Sequence, residues 1–167
     1  AVLYLSGEII SGTSEDGKQI ASNDVIRELK SIRKDKKIKA LILRINSPGG
    51  SSAASDIIAR EIELTKKQIP VFASYGNVAA SGGYYISCLA DSIFASKNSI
   101  TGSIGVFAII PNTQKLYKEK LGLGYESVKT NENATLWRPD APLTAFQQQK
   151  IQKMINKVYG DFTGIVS

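Results

Sequence analysis

The stretch Ile38-Lys39-Ala40-Leu41-Ile42-Leu43-Arg44-Ile45-Asn46-Ser47-Pro48-Gly49-Gly50-Ser51 decides the fold. Its first eight residues are almost continuously apolar, which predicts a strand over 38–45 covered on both faces. Pro48 stiffens a turn, and Gly49 and Gly50 permit backbone angles that other residues avoid. A helix then follows Ser51, with Ala54, Ile58 and Ile62 on one stripe. A buried strand that runs through a glycine turn into a helix is the repeating unit of a parallel α/β sheet.

The same unit recurs on both sides. Upstream, Val2-Leu3-Tyr4-Leu5 predicts a strand running on towards Ile9-Ile10, then a polar loop over 11–19. Ser22 is placed to cap a helix carrying Val25, Leu29 and Ile32. Downstream, strands are predicted at 70–75, 92–95, 104–109 and 125–129. A short helix starts near Ser81 and reaches Leu89, and another covers 112–121. Thr144 and Gln147 form a capping-box pair for a last helix, whose apolar face is Phe146, Ile151, Met154, Ile155, Val158 and Tyr159. The expectation is an α/β fold with a largely parallel sheet and repeated strand–helix units, in one domain over 1–167. In such sheets ligands gather at the carboxyl ends of the strands.

Composition narrows the chemistry. The chain has 167 residues, 43% hydrophobic and 22% charged, which suits one globular domain. It has no histidine, so no Ser-His-Asp triad and no histidine-ligated zinc site arises from it alone. Cys88 is its only cysteine, which excludes an intrachain disulfide. Acid–base work near pH 7 therefore falls to lysine, carboxylate or tyrosine with a shifted pKa. No cofactor and no metal is expected. The net charge of +6 is partly gathered in Arg33-Lys34-Asp35-Lys36-Lys37-Ile38-Lys39. Without interleaved aromatics this run reads as a solvated helix end, and no nucleic-acid partner is expected. No apolar stretch approaches the ~20 residues of a membrane helix. The chain opens on a strand at Ala1 and ends at Ser167 without a polar tail, which reads as a piece of a longer protein.

Three small-residue segments could carry chemistry. In Asn46–Ser51 the glycine N–H groups could face an anion or a developing oxyanion, although a plain strand-to-helix turn also fits. In Gly76-Asn77-Val78-Ala79-Ala80-Ser81-Gly82-Gly83-Tyr84-Tyr85, alanines and glycines clear space around one serine at the mouth of a helix. An N-cap serine at a tight contact is the alternative there. In Thr101-Gly102-Ser103-Ile104-Gly105-Val106, Ser103 could hydrogen-bond a catalytic group, or the segment could be a turn leading into a strand.

Taken in order, I-K-A-L-I-L-R-I-N-S-P-G-G-S at 38–51, A-A-S-G-G-Y-Y-I-S at 79–87 and T-G-S-I-G-V-F at 101–107 resemble the C-terminal half of the long bacterial signal peptide peptidase A (protease IV). These are serine–lysine proteases of peptidase family S49, within the Clp protease/crotonase superfamily. The resemblance implies a Clp protease/crotonase-like fold, with Ser81 as nucleophile. It implies oxyanion-hole amides at Gly50 and Gly82, and Ser103 as the serine that bonds the catalytic lysine. Gly49 and Ser51 would line the path of an extended substrate. The implied substrates are signal-peptide remnants and other short hydrophobic peptides. The implied setting is a homo-oligomer associated with the bacterial cell membrane in the full-length protein, this piece being soluble.

Short homologues carry the base lysine about fifty residues after the serine. The matching stretch here, Asn131-Glu132-Asn133-Ala134-Thr135, has none. Lys129 and Lys97 are possible stand-ins. The long form instead takes its base from an N-terminal half absent from this chain. Two other readings compete. One is a crotonase-type acyl-CoA enzyme, for which Asp56 and Asp91 are the only carboxylates near the glycine motifs. The other is a non-catalytic assembly domain that uses Tyr84-Tyr85 and the last helix as interfaces.

Overall fold

A computed structural model of the chain describes residues 1–131, 134, 135, 138 and 140–167. In chain order its elements are β1 (Val2–Ser6), β2 (Ile9–Ile10), β3 (Ile20–Ala21), α1 (Ser22–Lys34), β4 (Leu41–Ser47), α2 (Ser52–Lys66), β5 (Val71–Ala80), α3 (Gly82–Tyr85), β6 (Ser92–Phe94) and β7 (Ile100–Gly102). A π-helical turn (Leu116–Lys120) and α4 (Ala145–Val166) complete the chain. The main sheet has five strands in the order β1-β4-β5-β6, and β7 also pairs with β5. β2 and β3 form a second, two-stranded sheet. Every described strand pairing is parallel, as the repeated strand–helix units predict.

The core sits on one face of the main sheet. Leu5, Leu43, Ile45 and Ala73 point into it and meet Val25 and Leu29 of α1 and Ile58 and Ile62 of α2. Burying aliphatic side chains of this size contributes roughly 1.5–3 kcal/mol each. β4 corrects one expectation: its residues alternate buried and exposed, so only one face is covered. The apolar run of 38–45 reflects β-branched and long aliphatic side chains on both faces, with Ile42 and Arg44 outward.

Other differences are local. Ser22 does not cap α1. It is the first helical residue, Ala21 holds the cap position, and the Ser22 hydroxyl accepts the Gly12 N–H at 3.1 Å. Arg33, expected among solvated cations, is largely buried. It donates to the Glu61 carboxylate at 2.5 Å and to the Glu61 carbonyl and Thr65 Oγ1 at 3.0 Å, tying α1 to α2. No strand forms over 104–109 or 125–129, because no strand among the described residues pairs with those backbones. The helix expected at 112–121 is a short turn over 114–120.

Two compact units divide the chain: Ala1–Gly105 with Asp161–Ser167, and Val106–Gly160. Within the first, Phe162 is buried and its ring meets Tyr85 edge-on at 5.0 Å. Within the second, Tyr117 and Tyr125 pack edge-on at 5.1 Å, and Arg138 pairs with Asp140. There too the predicted capping box forms: Gln147 N–H donates to Thr144 Oγ1 at 3.2 Å, and Thr144 N–H to Gln147 Oε1 at 2.9 Å. Of the apolar face expected on α4, Ile151 is buried, whereas Phe146, Met154 and Tyr159 remain about half exposed.

Among the described residues no helix is long and apolar enough to cross a membrane. α4 has the length, but lysines, glutamines and an aspartate interrupt it. The membrane association implied by the resemblance conflicts with this finding for the described residues and is withdrawn.

Candidate active site

The site lies where β4 and β5 end side by side. After β4 the chain turns through Pro48, Gly49 and Gly50, with φ of +99° at Gly49 and +152° at Gly50. This turn is fastened on all sides. Gly49 N–H donates to Ser47 Oγ at 3.1 Å, and Ile9 N–H donates to the Gly49 carbonyl at 2.8 Å. Ser51 N–H donates to the Ile9 carbonyl at 2.8 Å, and Ser51 Oγ accepts the Ala54 N–H as the cap of α2. The Gly50 amide is the exception: it donates to nothing among the described residues.

After β5 comes Ser81, with φ +52° and ψ −121°. Only two described residues other than glycine have positive φ, and both belong to the predicted site: Ser81 and Ser103, the latter at +51°. Such backbone costs of order 1–3 kcal/mol and persists where the surroundings impose it. The surroundings here are explicit. Ser81 N–H donates to the Gly102 carbonyl at 2.9 Å, and Ser81 carbonyl accepts the Tyr85 N–H at 2.8 Å. Ala80 pairs with Gly102 in the parallel β5–β7 ladder, so Ser81 and Ser103 are the next register neighbours. The Ser81 hydroxyl caps nothing and makes no hydrogen bond among the described residues, which removes the N-cap explanation. Ser81 is half-buried and Ser103 exposed.

The two turns touch. A methyl group added to Gly49 would lie 2.6 Å from the Gly82 amide nitrogen and 2.8 Å from Ser81 Cβ. One on Gly82 would lie 2.5 Å from Ser55 Oγ, and one on Gly83 would lie 2.8 Å from the Ser47 carbonyl oxygen. Glycine is required at these positions by close approach of neighbouring atoms, backbone at Gly49 and Gly83 and the Ser55 hydroxyl at Gly82, and not by turn geometry alone. Gly82, the first residue of α3, also has an amide that donates to nothing among the described residues. α3 is a single turn and stops at Tyr85, short of the expected Leu89. It therefore presents free amides and little helix dipole.

The two tyrosines packed behind the site and the lone thiol are shifted upward in pKa. Burial pushes the Tyr85 phenol far up, and its hydrogen bond to Asp56, at 2.8 Å, pushes further. Burial also raises Tyr75 and the Cys88 thiol. Asp56 is engaged by Tyr85. Asp91 accepts the Val71 N–H at 2.8 Å and pairs with Lys66 at 3.3 Å. Both carboxylates that a crotonase reading could use are thus structural. Lys97 and Lys129 are exposed, and no lysine hydrogen-bonds Ser81 or Ser103 among the described residues. Glu132 and Asn133 of the stretch that holds the base in short homologues lie outside the described residues. No group of three metal-ligating side chains occurs among the described residues.

The profile of peptidase family S49 matches residues 63–167, which include Ser81 and Ser103. The chain belongs to peptidase family S49. The Clp protease profile matches residues 3–100, and with the parallel sheet above the fold of this S49 chain is Clp protease/crotonase-like α/β. It is 42% identical to Protease 4 of Haemophilus influenzae over 100% of the chain and 27% of that protein. It is 40% identical to the chloroplastic serine protease SPPA of Arabidopsis thaliana over 87% of the chain and 22% of that protein. A solved ClpP1 mutant from Listeria monocytogenes is 23% identical, with a TM-score of 0.44 over 60% of the chain and 50% of its own. The S49 chain thus spans about a quarter of the length of those two curated relatives.

Proposed function

We propose that this S49 chain is the nucleophile-bearing part of a Ser/Lys serine endopeptidase, and that its base lysine comes from another part of a longer protein. The Ser81 conformation carries this reading: a strained serine with an unbound hydroxyl, followed by the free Gly82 amide and set against the Gly49 turn, whose next residue, Gly50, also has a free amide. A strained residue whose side chain serves no structural bond is the kind of outlier that marks a functional position. Ser81 Oγ attacks the scissile carbonyl and passes its proton to a neutral lysine Nζ. The same lysine then returns the proton to the leaving amine, and water hydrolyses the acyl-enzyme. The Gly50 and Gly82 amides hold the oxyanion, each contributing about 3–4 kcal/mol in the transition state. Ser103, beside Ser81 in register, holds the lysine.

Gly49 acts by bringing the first turn against Ser81, since its own N–H and carbonyl are already bonded. Ser51 holds the start of α2 in the same way. The substrates are short hydrophobic peptides, signal-peptide remnants among them. The full protein is a homo-oligomer, and the largely exposed Phe107, Ile109 and Val128 are candidate contacts for it. The crotonase alternative loses ground to the structural engagement of Asp56 and Asp91.

Peptide hydrolysis tests this. The full-length protein carrying Ser81→Ala should lose at least about a thousandfold in kcat, as removal of a nucleophile does elsewhere. The isolated 167-residue chain should be inactive. Robust turnover by that chain would place the base within it, and full activity in Ser81→Ala would leave only the assembly-domain reading.

A further inference from the structure

The pairing of β4 with β5 breaks just before the site. Ile45 pairs with Tyr75 and Ser47 with Ala79, so β4 advances by two residues where β5 advances by four. β5 therefore carries two extra residues in a bulge over 76–78. Asn46 fills the gap. Its Oδ1 accepts the Asn77 N–H at 3.0 Å and the Val78 N–H at 3.2 Å, standing in for the missing ladder bonds. Gly76 has no side chain because one there would lie 2.9 Å from that oxygen and 3.1 Å from Asn46 Cβ. On the far side, Ser99 Oγ donates to the Gly76 carbonyl at 2.7 Å and Thr101 Oγ1 to the Ala79 carbonyl at 2.9 Å.

Before the bulge β5 pairs with β6 through Phe72–Ser74, and from the bulge's last residue onward with β7 through Val78–Ala80. The bulge is thus the corner at which β5 leaves one neighbour for the next, and Ser81 stands directly beyond it. Bulges bend a strand and re-aim the side chains past the bend. We infer that Asn46 is a positioning residue: its side-chain oxygen holds the β5 corner that sets Ser81 against Gly49. Asn46 makes no hydrogen bond to Ser81 among the described residues, and it acts through the backbone of 77–80. The inference rests on the reading of Ser81 as nucleophile.

The test uses the full-length protein, a fluorophosphonate probe and a hydrophobic peptide substrate. Asn46→Ala leaves two amides without an acceptor. Asn46→Asp keeps an oxygen in the same place. A displacement of about 1 Å at a reacting atom costs on the order of 100-fold, so Asn46→Ala should lower kcat and the labelling rate by about that factor, with KM within about threefold. Asn46→Asp should recover both to within about tenfold of the unmodified protein. A purely structural role would lower melting temperature without this split between kcat and KM. Should Asn46→Ala not fold, Asn46→Gln takes its place with the same expectation, since its acceptor is displaced by one methylene. Unmodified labelling in the alanine or glutamine variant, or aspartate as impaired as alanine, overturns the inference. Labelling that persists in Ser81→Ala overturns the nucleophile reading, whereas loss there with normal labelling in Asn46→Ala overturns only the role of Asn46.

Discussion

The turn after β4 and the turn after β5 lie against each other and are built on opposite terms. In the first, glycine sits where the chain needs it, and nearly every polar backbone group is tied down to Ile9 or Ser47. In the second, a serine occupies a conformation that glycine would adopt more cheaply, and its hydroxyl is bound to nothing among the described residues. One turn is a scaffold that holds a shape. The other holds a reactive group in a strained position that the scaffold enforces. The difference shows how a site is divided between residues that fix geometry and one that carries the reaction.

Breaking the scaffold should have the largest effect on stability. In Gly49→Ala the new methyl meets the Gly82 nitrogen at 2.6 Å and Ser81 Cβ at 2.8 Å, at a φ of +99°. Peptidase activity of the full protein should fall on the order of 100-fold, and stability should drop by about 1–3 kcal/mol in urea unfolding. Relaxing the strained turn should do the reverse for stability. Ser81→Gly should raise stability by about 1 kcal/mol while abolishing activity, and Ser81→Ala, which keeps the strain, should not. Equal melting temperatures for the two variants would remove the contrast between the turns.

Smaller effects concern the packing behind the second turn. Tyr85→Phe removes the bond to Asp56 that joins α3 to α2. It should cost about 1 kcal/mol in denaturant unfolding, with kcat nearly unchanged. The smallest effect is a pH dependence at the base of β5. The Val71 N–H, aided by Lys66, holds the Asp91 carboxyl below its ordinary value. Its stabilisation is present above that ordinary value and is lost as pH falls through the lowered one. Melting temperature should therefore fall less steeply in acid for Asp91→Asn than for the unmodified chain.

Much of this was legible in the sequence. Strands β1, β4, β5 and β6 of the main sheet (though not β7, whose residues read as a turn), the stripe Ala54, Ile58 and Ile62, and the capping box at Thr144 arise from periodicity and local hydrogen bonding, which the chain carries residue by residue. Ser81, Gly49, Gly50, Gly82 and Ser103 were visible as small residues in repeated turn positions, though their contact across turns was not. Features that depend on distant partners were hidden. Arg33 reads as one more cation until Glu61 is beside it. Asn46 reads as part of a turn until β5 bulges around it. The strands expected at 104–109 and 125–129 had the right composition and lacked a neighbour to pair with, which no local pattern records.

The most direct measurement is mass-spectrometric mapping of the adduct formed when the full-length protein reacts with a fluorophosphonate. A single modification on the Ser81 oxygen, absent after Ser81→Ala, is the predicted result. An adduct on any other serine, or none in a protein that still cleaves peptides, would contradict it.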